Sequence, residues 1–290
     1  MNGWLNIYKP KNYNSAKIVA IVKAILGGVK TGHAGTLDPL AEGVLPIAIG
    51  EATKLTEMLI EARKKYEFIV QFGARTTSGD LAGEEIAQCE SNVVRSDIEN
   101  ILPKFIGEII QIPSSFSAIK INGVRAYKYA HKNIEVKMPE RRVTIYSLEL
   151  LEFDAGQQCA KFVAECSKGT YIRSLAEDIA FSLQNLGHVI ELRRLSVGKF
   201  DYRNAIYLPE EGAQNNLQQI YDQILPADFV LDDILVINVE DDIAFRIRNG
   251  QKVYFEGYAD NIYAIYQGLT LLAIGKIENR FFKVKRVFNL

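Results

Sequence analysis

The sequence is poor in the residue types that build disulfide frameworks and metal sites. Its 290 residues include three cysteines and three histidines. Cys89, Cys159 and Cys166 are widely spaced and form no C-x-x-C pair, which argues against a disulfide scaffold and against structural zinc. The histidines are equally dispersed, so we expect reduced thiols and no metal site.

The sequence also lacks long apolar runs, an excess of positive or negative charge, and the glycine motifs that bind nucleotides. No stretch approaches the about 18 apolar residues of a membrane-spanning helix, and Lys9 precedes any long apolar run, which argues against a signal peptide. Lys and Arg total 34 against 35 for Asp and Glu, so a nucleic-acid surface would need local clustering. G-x-G-x-x-G and G-x-x-x-x-G-K-[ST] do not occur. We expect a cytoplasmic protein without a cofactor.

Charge is nevertheless clustered along the chain. Residues 1–37 contain five lysines and no acidic residue, and residues 120–142 contain seven basic and two acidic residues. Each cluster alone fits a solvated surface as well as an anion-binding one. Tyr127 and Tyr129 interleave with the second cluster, which favours a polyanion such as RNA as the partner.

Periodicity predicts a chain that mixes helices and strands. Asn14 and Ser15 are N-cap residue types before an apolar helical face, and Gly27-Gly28 ends that helix. In the predicted strand from Val44 to Ile49, Pro46 suggests an edge position or a bulge. The other predicted elements are helices at 55–62 and 172–183 and strands at 66–72 and 161–166.

The last 60 residues differ in character from the rest. The polar segment 212–226 ends in a proline, so we place a domain boundary between it and Leu231. Beyond this point, turn signals such as Asn249-Gly250 separate strand-like runs, and the run FFKVKRVF alternates. This pattern predicts a small all-β barrel.

The glycine-rich stretch GHAGTLDPLAEG, residues 32–43, carries the most conspicuous acidic residue. Pro39 favours an extended backbone at Asp38, and the flanking glycines allow a tight turn and the close approach of a ligand. Such a carboxylate suits a nucleophile, a base or a metal ligand. It equally suits a turn residue bonded to its own backbone, and composition alone leaves these alternatives open.

Several ordered blocks between residues 3 and 199 resemble the motifs of the TruB family of bacterial tRNA pseudouridine-55 synthases. The blocks are NIYKP, with Lys9 and Pro10; GHAGTLDPLAEGVLPIAIGEATK, around Asp38; KKYEF, with Tyr66; QIPSSFSAIKINGVRAYKYA; and CSKGTYIRSLAEDIA followed by HVIELRRL, with Arg173 and Leu192.

The resemblance implies isomerisation of one uridine in the tRNA T-loop to pseudouridine, without metal, nucleotide or organic cofactor. Asp38 falls at the position of the nucleophile and Arg173 at that of its paired cation, while Lys9 and Pro10 fall at supporting positions. A guanidinium would favour the ionised carboxylate and orient it. A covalent adduct would divide the transfer into two steps. Attack at uracil C6 and attack at ribose C1′ both remain open.

The resemblance also implies that the target base leaves its stack. Flipping a stacked base out costs about a few kcal/mol. His33 falls at the position of the residue that wedges into the T-loop, and Tyr66 at that of the ring that stacks on the flipped uracil, worth about 1–3 kcal/mol. Tyr171 and Leu192 fall at uracil-contacting positions. Without the resemblance, His33 fits an ordinary loop residue, and Tyr66 and Leu192 fit core positions.

We therefore expect two domains. The first, residues 1–230, is an α+β catalytic domain with a mixed, largely antiparallel sheet of pseudouridine-synthase type and an RNA-clasping insertion at about 74–142. The second, residues 231–290, is a PUA-like RNA-binding β-barrel. Asp38, Tyr66 and Arg173 should meet in a cleft that binds the T-stem-loop of tRNA.

The expected protein acts as a monomer away from membranes. Two rival functions remain at this point. One is a non-catalytic RNA-binding or tRNA-folding protein on the same scaffold, and the other is a guide-RNA-dependent relative that modifies ribosomal RNA.

Overall fold

The computed structural model describes residues 1–117, 119–130, 132, 134–208 and 217–290, which form two main sheets with helices packed against them. The strands in chain order are β1 (Gly3–Lys9), β2 (Thr31–His33), β3 (Glu42–Ile49), β4 (Lys64–Phe72), β5 (Ala74–Thr76), β6 (Glu85–Gln88), β7 (Gly107–Gln111), β8 (Lys120–Ile121), β9 (Val124–Arg125), β10 (Arg141–Asp154), β11 (Cys159–Cys166), β12 (Gly187–Val197), β13 (Phe200–Asp201), β14 (Ile206–Tyr207), β15 (Leu235–Asn238), β16 (Val253–Tyr254), β17 (Asn261–Gln267), β18 (Thr270–Glu278) and β19 (Phe281–Val287). The helices are α1 (Ser15–Ile25), α2 (Thr56–Glu61), α3 (Arg95–Ile101), α4 (Ala126–Ala130), α5 (Ile172–Ser182), α6 (Leu217–Asp222) and α7 (Asp241–Arg248).

The larger sheet has ten strands and mixed directions. Its order is β14-β1-β3-β12-β4-β11-β10-β7, with β2 beside β3 and β13 beside β12. The β1–β14 and β3–β12 pairs are parallel, whereas the other pairs are antiparallel. The predicted α+β fold with a mixed, largely antiparallel sheet is therefore confirmed.

The strand β3 lies inside this sheet, so the edge position predicted from Pro46 was wrong. Glu42 and Gly43 pair with β12, and the residues that follow Pro46 pair with β2. Proline has no amide proton to donate. Pro46 falls where one neighbouring strand ends and the next begins, and its carbonyl accepts a 3.1 Å hydrogen bond from the Ala34 amide. An interior proline is tolerated here because no strand requires its missing donor.

The helices and strands near the Asp38 loop form where the sequence periodicity predicts them. The side chain of Asn14 caps α1 by accepting a 2.7 Å hydrogen bond from the Lys17 amide, and Gly27 follows the helix at a φ of 67°. Phe68 and Val70 of β4 share one face and are fully buried against α5. This packing fixes α5 on the same face of the sheet as the Asp38 loop.

The second sheet has five strands in the order β15-β17-β18-β19-β16 and curls around α7. Sequence periodicity predicted an all-β module and missed this eight-residue helix. Leu271 and Phe288 of this region share a hydrophobic cluster with Trp4 of β1. The two sheets are thus joined by a common apolar contact.

The first strand also binds the segment that leads into the second sheet. Trp4 Nε1 donates a 2.9 Å hydrogen bond to the Ala227 carbonyl, and the backbones of Trp4 and Leu225 exchange two hydrogen bonds. The domain boundary near residue 230 remains a prediction, as does the RNA-clasping role of residues 74–142. That segment contains two separate hairpins, β5–β6 and β8–β9, whereas β7 extends the large sheet. No helix in the described part of the chain has the length and apolar character needed to cross a membrane.

Candidate active site

Asp38 and Arg173 form an ion pair at the centre of the candidate site. Asp38 lies in the loop between β2 and β3, and Arg173 lies in the first turn of α5. Arg173 Nη2 is 2.9 Å from Asp38 Oδ2. The arginine side chain is 6% exposed, whereas that of Asp38 is 40% exposed. The pair orients the carboxylate and leaves it accessible to a ligand.

A second carboxylate and two carbonyls hold the Arg173 guanidinium from its other sides. Nη1 donates a 2.7 Å hydrogen bond to the Ser78 carbonyl and lies 3.5 Å from Asp80 Oδ2, while Nη2 donates to the Phe116 carbonyl at 3.1 Å. Asp80 is itself oriented, because Oδ1 accepts from the Ser78 hydroxyl at 2.6 Å and from the Ala82 amide at 3.0 Å. Two carboxylates therefore balance one buried positive charge.

Lys9 holds the backbone next to Asp38. Its fully buried Nζ donates to the carbonyls of Pro39 at 3.2 Å, Pro10 at 2.9 Å and Tyr13 at 2.6 Å. Burial lowers the pKa of Lys9 to about 8, and the negative charge of Asp38 partly offsets this effect. The predicted supporting residue thus has a definite contact with the loop that carries Asp38.

Ser15 and Asn12 hold the same loop from the N-terminal region. The Ser15 hydroxyl donates to the Leu37 carbonyl at 3.1 Å and accepts from the Leu37 amide at 2.9 Å. The Asn12 amide donates to the Pro39 carbonyl at 2.8 Å. The residues on either side of Asp38 are therefore fixed by partners outside the loop.

Tyr66 lies close to this carboxylate, on β4. It is the cross-strand neighbour of Arg194 on β12. Burial raises the pKa of Tyr66, the nearby charge of Asp38 acts in the same direction, and Arg194 opposes both. The phenol is thereby kept neutral and half-buried beside Asp38.

Tyr171 is the residue immediately before α5. Its amide donates to Gln111 Oε1 at 3.1 Å, and its carbonyl accepts from Gln111 Nε2 at 3.3 Å. Burial raises the pKa of Tyr171, and Asp38 adds to the effect. The site therefore places a second neutral phenol within the electrostatic reach of the carboxylate.

His33 lies at the end of β2, five residues before Asp38 in the chain. Its buried Nδ1 has no hydrogen-bond partner among the described residues. Burial lowers the pKa of His33, and the positive charge of Arg194 lowers it further. The imidazole is therefore neutral near neutral pH.

Leu192 belongs to the core more than to the surface of the site. Its side chain is 7% exposed in the cluster that packs on α5, and it pairs with Phe68 across the β4–β12 ladder. The predicted uracil contact of Leu192 stays a prediction. Within the described ranges, no three His, Cys, Asp or Glu side chains are grouped so that they could hold a metal ion.

Sequence reasoning missed two charged residues that build this site, Asp80 and Arg194. Asp80 lies in the turn TSGDLAG, and a Cβ on Gly83 would lie 2.5 Å from Ser78 Oγ, so glycine allows the turn to close around Asp80. Arg194 follows Leu192 by two residues and is buried on the same face of β12. The sequence signal for a special role of Arg194 was its place at a strand position that faces the core, where arginine is rare.

Comparison with known proteins gives the family of the chain. A family model described as TruB family pseudouridylate synthase (N terminal domain) matches residues 23–172. The curated protein "tRNA pseudouridine synthase B" of Rickettsia bellii (strain OSU 85-389) is 50% identical over 290 residues, covering 99% of this chain and 98% of the relative. The protein of the same name from Rickettsia akari (strain Hartford) is 50% identical over 295 residues, with coverage of 100% and 99%.

Solved structures agree with this result. A chain in the crystal structure of a Cbf5-Nop10-Gar1 complex aligns with a TM-score of 0.72 and 26% identity, covering 98% of this chain and 84% of that chain. With more than half of its residues matched by the family model and close relatives along its full length, the chain belongs to the TruB family of pseudouridylate synthases.

Proposed function

We propose that this protein converts uridine 55 in the T-loop of tRNA to pseudouridine, with Asp38 as the nucleophile. Family membership supports the reaction class, and the names of the relatives at 50% identity support tRNA as the substrate. The observation that carries the role of Asp38 is its 2.9 Å contact with the buried Arg173, which leaves the carboxylate 40% exposed.

The reaction rearranges the nucleotide without adding or removing atoms. The N1–C1′ bond breaks, the uracil turns, and a C5–C1′ bond forms, while C5 loses a proton and N1 gains one. Asp38 attacks either ribose C1′ or uracil C6 and is released at the end. Arg173 keeps the attacking carboxylate oriented, and Asp80 keeps Arg173 in place, so the nucleophile needs little reorganisation.

The residues around Asp38 suit a uridine that has left its stack. The Tyr66 ring provides a stacking surface, and Tyr171 provides a second neutral ring. His33 wedges into the T-loop at the position that the base vacates, as a neutral imidazole. Base flipping is supported by this arrangement, because a uracil stacked in the loop could not reach Asp38.

The C-terminal sheet serves as a second RNA contact. In residues 231–290 seven of the eight acidic residues lie between Asp232 and Asp260, whereas five of the eight basic residues lie between Lys276 and Arg286. Lys276 and Lys283 are exposed cross-strand neighbours on β18 and β19. This segregation supports phosphate binding by a module whose total charge is zero.

Exposed aromatic rings accompany these lysines. Tyr254 and Phe281, 47% and 42% exposed, face each other across β16 and β19 with ring centroids 5.5 Å apart. Arg280 Nη1 donates a 2.9 Å hydrogen bond to the Tyr254 hydroxyl. Basic side chains interleaved with aromatic rings are typical of surfaces that bind nucleic acid.

The test is conversion of an unmodified tRNA transcript by the purified protein, with pseudouridine mapped by chemical labelling. We expect conversion of one uridine at position 55 by the wild type and no conversion by Asp38→Asn. Asp154→Asn is the matched control, since Asp154 caps an exposed turn by accepting from the Gly156 amide at 2.9 Å. Retained conversion by Asp38→Asn would show that Asp38 is not the nucleophile.

The same experiment separates the rival functions. A protein that only binds or folds tRNA would leave every uridine unchanged, although it would bind the transcript. A guide-RNA-dependent enzyme would act only after a guide RNA or partner proteins were added. Conversion of the bare transcript excludes both.

A further inference from the structure

Arg194 is a buried cation that binds both ends of the loop that carries Asp38. It lies on β12 and is 1% exposed. Its Nη2 donates to the Gly35 carbonyl at 3.0 Å, and its Nη1 lies 3.5 Å from the Thr36 carbonyl oxygen. Its Nε donates to the Val44 carbonyl at 2.8 Å, where the loop has entered β3. One side chain therefore closes the loop at its beginning and its end.

The same residue is also paired with Tyr66. The two residues are cross-strand neighbours on β12 and β4, and the Arg194 guanidinium is near enough to the phenol to lower its pKa. A guanidinium is planar and rigid, so groups bonded to it take fixed positions relative to one another. Arg194 thus holds the Asp38 loop through its side chain and is paired, across the β4–β12 ladder, with the residue that carries the aromatic ring.

The charge of Arg194 is not paired with a carboxylate in the described part of the chain. Its hydrogen-bond partners are the carbonyl oxygens of the loop and of β3. An arginine cannot lose its proton, so a buried one without a counter-ion is costly to keep. An apolar side chain of similar length would serve the core at a lower cost. The hydrogen bonds themselves are therefore the reason for a charged residue at this position.

The backbone of Arg194 is engaged as closely as its side chain. Gly43 pairs with it in the parallel β3–β12 register, and a Cβ on Gly43 would lie 2.3 Å from the Arg194 carbonyl oxygen. Gly43 has a φ of 107°, which favours glycine. This close approach brings β3 near enough for the guanidinium to reach the loop carbonyls.

We propose that Arg194 is a positioning residue, which fixes the Asp38 carboxylate and the Tyr66 ring at the spacing needed to engage one flipped nucleotide. The inference rests on the proposed function, in which Asp38 attacks and Tyr66 stacks on the same uridine. Because the side chain is closed to solvent, Arg194 acts on the rate of the chemical step and leaves RNA affinity unchanged.

The test compares Arg194→Lys and Arg194→Met with the matched control Arg193→Met. Arg193 is the preceding residue on the same strand and points to the other face of the sheet, where its 40% exposed side chain lies 2.8 Å from Glu42. We expect both Arg194 variants to lower the single-turnover rate about 10- to 100-fold. The dissociation constant for tRNA should not change, and Arg193→Met should match the wild type in both measurements.

Two readouts test the inference without using activity. Amide hydrogen exchange should accelerate at Leu37 in both Arg194 variants, because the loop loses its anchor, and should stay unchanged in Arg193→Met. In NMR titrations, Arg194→Met should raise the pKa of His33, because Arg194 lowers it in the wild type. Arg194→Lys should raise the pKa of His33 less, since lysine keeps a positive charge.

The outcomes separate this inference from the proposed function. Inactivity of the wild type on tRNA would contradict the proposed function, and amide exchange at Leu37 would still decide the role of Arg194. An unchanged rate and unchanged exchange in both variants would overturn the inference. Weaker tRNA binding at an unchanged rate would overturn it as well. Unfolding of both variants would also overturn it, because Arg194 would then serve the stability of the fold.

Discussion

The loop around Asp38 is held through its backbone, whereas the carboxylate is left open. Lys9, Ser15 and Arg194 contribute hydrogen bonds to carbonyls or amides before and after this residue. Arg173 contacts the carboxylate itself and is held by Asp80. The loop therefore needs no further ordering when a substrate arrives, which lowers the entropic cost of reaction.

Asp80 offers a direct test of how tightly Arg173 must be held. Asp80→Asn keeps the acceptor for Ser78 and Ala82 but removes the negative charge beside Arg173. We expect the single-turnover rate to fall about tenfold, because the guanidinium loses an orienting partner. Asp154→Asn should leave the rate unchanged. A wild-type rate in Asp80→Asn would show that the charge of Asp80 is not needed to orient Arg173.

His33 predicts a pH dependence of stability. The folded state lowers the pKa of His33 below 6.5, its value without the protein environment. As the pH falls through 6.5, the unfolded chain binds a proton at His33 that the folded protein does not bind, so the free energy of unfolding decreases. His33→Gln should lose less stability than the wild type between about pH 7.5 and about pH 5.5 in urea unfolding. Equal losses would contradict the prediction.

At the level of single residues, the sequence predicted the pairing of Asp38 with Arg173 and the supporting position of Lys9, but it missed Asp80 and Arg194. Asp38 and Arg173 lie in extended blocks that match family motifs, and the structure brings them together. Asp80 and Arg194 act through contacts between distant positions, such as the bond of Arg194 to a carbonyl 159 residues away. The core-facing position of Arg194 indicates a buried role, but the local pattern around either residue does not identify its distant partner.

Among the elements, the junction of β3 and β12 decides how the site is assembled. These two strands run parallel, and they pair at Glu42–Arg193 and Gly43–Arg194. The antiparallel β4 adjoins β12 on its other side and brings Tyr66 opposite Arg194. The two strands that flank β12 therefore carry the loop end and the aromatic ring to the same place.

Gly43 is the position where this junction tolerates no side chain. Gly43→Ala would place a Cβ 2.3 Å from the Arg194 carbonyl at a φ of 107°. We expect a loss of about 3–5 kcal/mol in the free energy of unfolding, measured with urea. Gly28→Ala is the matched control, because Gly28 also has a positive φ of 88° but has open space around it. It should cost about 1–2 kcal/mol, and equal losses in the two variants would refute the role of close approach.

Periodicity predicted most elements near the site and failed where tertiary context decides. The alternation of apolar and polar residues predicted β4 and β11, and the helical spacing of apolar residues predicted α1 and α5. Pro46 was assigned to an edge or a bulge, because the sequence does not show that two strands share the same side of β3. The helix α7 was missed because its eight residues follow a stretch of strand-like character and end at a turn signal, Asn249-Gly250.

For RNA binding by the whole molecule, the positions of the charged residues matter more than the net charge. The chain has a net charge of −1, and the C-terminal 60 residues sum to zero. Lys276 and Lys283 nevertheless lie side by side on the second sheet, and both form an ion pair with Glu278. A charge total does not report which face of the module each charge occupies.

The proposed second RNA contact is tested by reversing these two lysine charges. Lys276→Glu combined with Lys283→Glu should weaken binding of full-length tRNA and make the plot of log K against log salt shallower by about 1.8, as for two lost phosphate contacts. Arg246→Glu combined with Arg248→Glu makes the same charge change on α7 and should keep the wild-type slope. If both double variants weakened binding equally, the module would attract RNA through its overall electrostatic field and not through a defined binding face.

The strand β1 pairs with residues 206–207 and with Leu225, which lie far along the chain, and this affects folding during synthesis. A ribosome that adds about 5–20 residues per second needs roughly 10–45 s to travel from β1 to Leu225. During that interval the nascent strand has neither of these neighbours, and the parallel strand β12 that β3 requires is also still to be synthesised. We therefore expect the catalytic sheet to fold only after most of the polypeptide has left the exit tunnel. Until then its apolar strands stay exposed, and chaperones would bind them.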